Sequence, residues 1–321
     1  MIKVVNPSVE VWKQEGYTLD AIWKHIARCA RVCYQSTQKN NGETDYCFVV
    51  RTLLNHKDVV NQPYNIEDIK GCHLSVFEHG IVHLKLPLII AQGIMQSKRF
   101  TNNHYSRSKI YGDYCYVTTN MRVIIENAWV NVLEFIDNTN GCPYYEATAT
   151  ISFTTNIGVS RELNRHRCHS VSEESTRYCA YDKGKFGNGI TVAKLPWIPD
   201  VDPTDEGHDY NEGFFNDNEV FDNNVIEEQY TDNWTAVDWF FYGLQVCDLV
   251  YRKTRELGWT AQQAREILPL NTKTQVVHTA YLDDWYQWCL LRADEISGKV
   301  HPCMKFVADR VKEIITGRLC G

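Results

Sequence analysis

Arg165 to Tyr178, RHRCHSVSEESTRY, places three arginines, two histidines, two glutamates and four Ser/Thr hydroxyls in one short stretch. Guanidinium groups present planar forks that fit phosphate or carboxylate oxygens, and imidazole donates to an electron-rich ring or exchanges a proton near neutral pH. Together these residue types suit a phosphorylated, nitrogen-rich ligand. A solvated helical face laced with ion pairs is the plain alternative. It fits less well, because the stretch has no lysine and His166, Cys168, Ser170, Ser172 and Ser175 alternate loosely with the charges.

Such side chains need rigid elements to hold them. The segment Ala147–Ile157, ATATISFTTNI, is rich in β-branched residues at near period two and predicts a strand running straight toward Arg161 and the charged stretch. Val82–Leu88 predicts another. Helical spacing predicts helices over Thr18–Gln35 with Thr18 as cap, within Thr44–Asn55, over Met121–Ile136 and over Thr235–Leu257, where Gly258 ends the last of these. Thr260 and Gln263 open a short helix that Pro269 stops near Leu268. Further helices are expected over Thr274–Ala293 and from Pro302 onward. Pro196–Asn233, full of Asp, Asn and Gly, reads as an elaborate surface loop with aromatics packed onto the body.

The bulk numbers fit a folded chain with one large core or two modest ones. The chain has 321 residues, 44% of them apolar and 12% aromatic, enough to bury a large core. The most apolar run, Ile81–Met95, is broken by His83, Lys85, Pro87, Gln92 and Gly93, so no membrane span is expected. The N-terminus has no signal-peptide core, and a cytoplasmic location is expected. Twelve cysteines without a CxxC pair read as reduced packing residues, and Cys29 and Cys33 near His25 read as core, not as metal ligands. Of the forty acidic residues twelve lie in Pro199–Asp232, which leaves the body with 28 acidic against 33 basic residues. That mildly basic body accommodates a small anion, and no specific nucleic acid is expected as partner.

The motifs then become specific. Arg165-His166-Arg167, followed after seven residues by Ser175, resembles the signature of flavin-dependent thymidylate synthases, and Glu173, Arg177 and Tyr178 extend the likeness. Phe77-Glu78-His79 resembles that family's FEH element. Ala264-Arg265-Glu266-Ile267-Leu268-Pro269 resembles its AR-x-x-LP helix, and Leu291-Arg292 and His301-Pro302 resemble its C-terminal LR and HP elements. The landmarks keep their order across most of the chain.

The resemblance implies an α+β (α/β) fold with a central mixed or antiparallel sheet flanked by long helices, in one catalytic domain over 1–321. It also implies conversion of dUMP to dTMP, with methylenetetrahydrofolate as carbon donor, FAD as cofactor and NADPH as reductant, in a homotetramer whose flavin sites are built by several subunits. By the same likeness Arg292 is the catalytic arginine. Arg165, Ser175, Thr176, Arg177 and Arg265 would bind dUMP, as would Glu162, which stands where some members have Gln. Arg165, His166, Arg167, Glu173, His79 and His301 would contact FAD or folate. No metal is implied, and Cys168, which has no nucleophilic role in that family, is expected to pack.

The sequence also departs from the pattern. Ser172 stands where Asn is usual, and Gln262 where some members have Glu. Additions span about 90–146 and 196–233, the first adding roughly sixty residues between His79 and Arg161. Without the likeness, Arg265 would cap helix carbonyls and Arg292 would pair with Asp283, Asp284 or Asp294. Two other functions compete: a related flavin enzyme that methylates or hydroxymethylates another pyrimidine nucleotide, and an RNA-binding or scaffold protein.

Overall fold

The computed structural model describes residues 2–34, 42–95, 103–177, 180–181, 189–198 and 234–319. Tyr178, Cys320 and nearly all of the predicted Pro196–Asn233 loop lie outside them. The fold is α+β. Its centre is a four-stranded antiparallel sheet in the order β2 (Ser8–Val11), β6 (Thr148–Asn156), β9 (Lys273–Tyr281), β7 (Ser170–Glu173). A parallel pair, β1 (Lys3–Val5) with β8 (Thr191–Ala193), lies outside this sheet.

The two faces of the central sheet differ in chemistry because strand side chains alternate. Ile151, Phe153, Val276 and Ala280 point into a core shared with the helices Ala236–Glu256, Leu282–Arg292 and Pro302–Leu319. Thr150, Ser152, Ser172 and Thr279 stand on the opposite face and are buried. That face meets the helix Leu19–Tyr34 and the 3-10 turn Leu74–His79, which belong to a second core. The helix and turn approach each other closely at Gly80, where a Cβ would sit 2.5 Å from Ile26 Cδ1. Any larger residue there would have to displace the Ile26 and Ile22 side chains.

Within the predicted stretch of additions, a hairpin of β4 (Arg107–Tyr111) and β5 (Tyr114–Asn120) pairs with the strand before it, β3 (Ile81–Pro87), in a second sheet ordered β3, β5, β4. The tight β4–β5 connection uses Gly112 at φ +58°. This sheet docks on the central one at Tyr281, whose hydroxyl donates to the carbonyls of Tyr105 and Thr118 at 2.8 and 3.1 Å.

Two helix expectations need correction. Thr274–Ala293 is a strand, β9, up to Tyr281 and a helix only from Leu282 to Arg292. The β-branched run from Thr274 to Thr279 pairs with β6 on one side and β7 on the other, and two hydrogen-bonded neighbours override the apolar spacing that read as helical. Met121–Ile136 splits into the helix Met121–Glu126 and the 3-10 turn Val130–Phe135. Ala128 breaks it at φ +54°, a left-handed conformation that no α-helix continues through. The expected first two helices and the strand over Ala147–Ile157 are found within a few residues of their predicted limits. Among the described residues no helix is long and apolar enough to cross a membrane.

Candidate active site

Strand β6 ends at Asn156, whose side-chain carbonyl accepts from the Val159 N–H at 2.8 Å and so starts the helix Ile157–Leu163 at once. A short turn carries the chain through Arg165-His166-Arg167 into β7, the outer strand of the central sheet. The charged stretch is thus held by a capped helix on one side and a paired strand on the other. Glu173 ties the two together. It accepts from Ser160 Oγ at 2.6 Å and Thr274 Oγ1 at 3.4 Å through one oxygen, and from Asn164 Nδ2 at 2.9 Å through the other. Next to it, buried Glu174 accepts from Lys273 Nζ at 2.6 Å and from the Gln275 N–H at 3.1 Å, which fastens the end of β7 to β9. Burial holds the Glu174 carboxyl above its ordinary range despite the lysine.

Two polar clusters branch from this stretch. In the first, Arg292, from the last turn of its helix, donates from Nε to His166 Nε2 at 3.0 Å and from Nη1 to Glu162 Oε2 at 3.2 Å. Burial, and then the Arg292 charge, hold the His166 imidazole down to about 4. His166 is therefore neutral near pH 7 and accepts at Nε2, which leaves its proton on Nδ1. The alternative local pairing of Arg292 is not found. Asp283 and Asp284 are bound by Arg107, and Asp294 by Lys312.

The second cluster forms where β7 leaves the sheet. The Ser175 N–H donates to the Cys33 carbonyl at 3.2 Å, near the C-terminal end of the first helix, and Ser175 Oγ accepts from the Arg177 N–H at 3.3 Å. Arg177 Nε donates to Gln262 Oε1 at 3.0 Å, and Arg265 Nη1 to Thr176 Oγ1 at 3.4 Å. Residues 85 and 89 positions apart in sequence are brought side by side there. Two guanidiniums, two hydroxyls and a free-edged strand end make an anion cradle of the kind that suits a phosphate.

Beneath the strand lies a chain of buried hydrogen bonds. His25 Nε2 meets Thr150 Oγ1 at 3.0 Å, Thr150 Oγ1 meets Thr279 Oγ1 at 2.7 Å, Thr279 Oγ1 meets His79 Nδ1 at 2.7 Å, and His79 Nε2 meets Ser172 Oγ at 3.0 Å. Each hydroxyl has one proton to give, so neutral imidazoles allow the whole chain to run in a single direction. His79 is fully buried with both ring nitrogens used, and within one chain it supports β7 and meets no open surface. Ser172, in the position of the usual Asn, faces this chain. On the other face of the sheet His169 Nδ1 meets His278 Nδ1 at 3.1 Å beside Trp285.

The remaining predicted residues are placed as follows. Arg165 and Arg167 are exposed, and their guanidiniums make no hydrogen bond or ion pair among the described residues. His301 opens the last helix, with its ring 5.7 Å from Trp197, on an element separate from both clusters. Cys168 is exposed in the turn before β7, which corrects the expectation that it packs. Sequence reasoning missed the roles of His25, Thr150, His169, His278 and Thr279. Threonines at period two in a strand carry no mark that separates a buried relay from ordinary β-propensity. Among the described residues no group of three His, Cys, Asp or Glu side chains is set to hold a metal ion.

The central sheet thus carries the Arg165-His166-Arg167 turn before β7 and brings the Arg177 and Arg265 guanidiniums beside Thr176 and Gln262 after it. The chain belongs to the thymidylate synthase complementing protein family, whose profile matches residues 131–299. That span includes Arg165–Arg177, Arg265 and Arg292 and stops short of Phe77–His79 and His301. No curated relative matches the sequence. Solved structures similar to it include the UMP/dUMP methylase PolB from Streptomyces cacaoi bound with 5-Br dUMP, at 14% identity over 97% of this chain and 91% of that one, with a TM-score of 0.39. The same enzyme bound with 5-Br UMP gives 14% identity over 98% and 91%, with a TM-score of 0.40.

Proposed function

We propose that the protein is a flavin-dependent thymidylate synthase that converts dUMP to dTMP. The observation that carries this reading is the meeting of Ser175, Thr176 and Arg177 with Arg265, one strand away from the Arg292–His166–Glu162 cluster, in a chain of this family. In the proposed site Arg177 and Arg265 clamp the phosphate with charge-assisted bonds, Ser175 and Thr176 complete the cradle, and binding energy far from the ring orients the pyrimidine. C5 of uracil is a weak nucleophile. Arg292, held by neutral His166 and by Glu162, stabilises charge at N3 and the neighbouring carbonyl, which raises electron density at C5.

The residues present fit a flavin. Arg165 and Arg167 offer unengaged guanidiniums to an anionic group such as a diphosphate, and neutral His166 keeps an Nδ1–H donor for a ring acceptor. With FAD bound, the flavin supplies hydride transfer between NADPH and the methylene carbon delivered by methylenetetrahydrofolate. Glu173 fixes the backbone of this stretch. In a homotetramer, His79 and His301 would support or border the cofactor from their own elements.

Binding tests the cradle directly. Calorimetry should find dUMP bound at least tenfold more tightly than deoxyuridine, because a charge-assisted bond is worth about 1.5–3 kcal/mol, or roughly 10- to 150-fold. Arg177→Ala should weaken dUMP by that factor and leave deoxyuridine unchanged. Equal affinity for the two ligands would remove the phosphate from the site.

A further inference from the structure

We infer that Arg107, which lies in the added sheet and outside every signature motif, is a positioning residue for Arg292 and the charged stretch. This rests on the functional reading above. Arg107 sits on β4 and reaches across to the first turn of the helix that ends in Arg292. Its Nη1 donates to both carboxylate oxygens of Asp283 at 2.7 Å, and its Nη2 donates to Asp284 Oδ2 at 3.0 Å. Its guanidinium carbon lies 3.8 Å from the centroid of the Tyr281 ring, the last residue of β9. Tyr281 in turn gives its hydroxyl to the added sheet at Tyr105 and Thr118.

The strand-to-helix corner Tyr281–Asp284 is therefore gripped by the added sheet through one cation and one hydroxyl. Ten residues along the helix from Leu282 stands Arg292. A helix moves as a rod, so the angle fixed at its first turn sets where its last turn lies. The same corner borders the charged stretch, since the His169 ring is 4.3 Å from Trp285. Lysine could not replace this grip fully, because a point charge cannot serve two carboxylates and lie flat on a ring. The added sheet thus has a task in the site, to hold the helix of Arg292 at one angle.

Two measurements on the full-length protein test it. The first is hydrogen exchange over 282–292 in Arg107→Ala, which should speed up at least tenfold while exchange in β3 and β5 stays as in the parent. The second is a double-mutant cycle. Arg107→Ala should lower kcat roughly tenfold or more with KM for dUMP within threefold, and should cost nothing further in an Arg292→Ala background. Arg107→Lys should fall between parent and alanine in both measurements, and it carries the comparison if the alanine variant does not fold. Unchanged exchange over 282–292, or losses that multiply in the double variant, would overturn the inference. If the parent shows no nucleotide-dependent turnover, the functional reading fails and the exchange result still decides whether Arg107 holds the helix.

Discussion

Arg292→Ala is expected to lower turnover of dUMP by roughly 10²- to 10³-fold, the usual cost of removing one fixed donor at developing charge. FAD content and dUMP affinity should change by no more than a few-fold. Arg292 uses two of its five N–H donors on His166 and Glu162 and so arrives at the site already oriented, with donors left for a ligand. Its side chain is 18% exposed and that of Glu162 28%, so loss of the pair should cost the fold only about 1 kcal/mol. A fall in turnover therefore reports on chemistry. Steady-state kinetics beside flavin absorbance and a thermal melt separate the outcomes. Equal loss of turnover and flavin would mean that Arg292 is structural.

A second large effect is expected on acidification. His25 is held down to about 4, and His79 and His169 to about 3, each first by burial, and His278 is lowered well below its ordinary value for the same reason. The folded chain keeps these rings neutral, whereas the unfolded chain takes up protons near pH 6.5. The stability they confer is complete above that pH and is lost as pH falls from about 6.5 toward 4. At pH 5 each neutral ring forgoes about 2 kcal/mol of protonation that the unfolded chain gains. Several such rings together match the whole stability of a typical domain, about 5–15 kcal/mol. Urea melts should show midpoints that are flat from pH 8 to 7 and fall steeply below 6.5, with unfolding near pH 5. A midpoint at pH 5 equal to that at pH 7 would show that these rings titrate alike in both states.

Legibility in the sequence followed the range of the forces involved. Ala147–Ile157 could be read as a strand, and Thr18–Gln35 as a helix, because period and caps are local. The run Thr274–Thr279 was misread because its identity as a strand depends on β6 and β7, more than a hundred residues away. For the site, residue type and order along the chain brought Arg177 and Arg265 into one hypothesis, and both now stand with Thr176 and Gln262. Arg107 carried no local mark at all. It matters only because a hairpin within the additions folds back onto a corner 176 residues further along. Buried relays such as Thr150–Thr279–His79 are equally silent, since their meaning lies in pairing register.

The central claim concerns the reaction, and the product nucleotide tests it most directly. Purified protein supplied with FAD, dUMP, methylenetetrahydrofolate and NADPH should yield a nucleotide whose mass equals dTMP, with NADPH consumed in step. A hydroxymethylated product or a different nucleotide substrate would give the site to a related pyrimidine-modifying enzyme, and no dUMP-dependent consumption of NADPH would contradict the account.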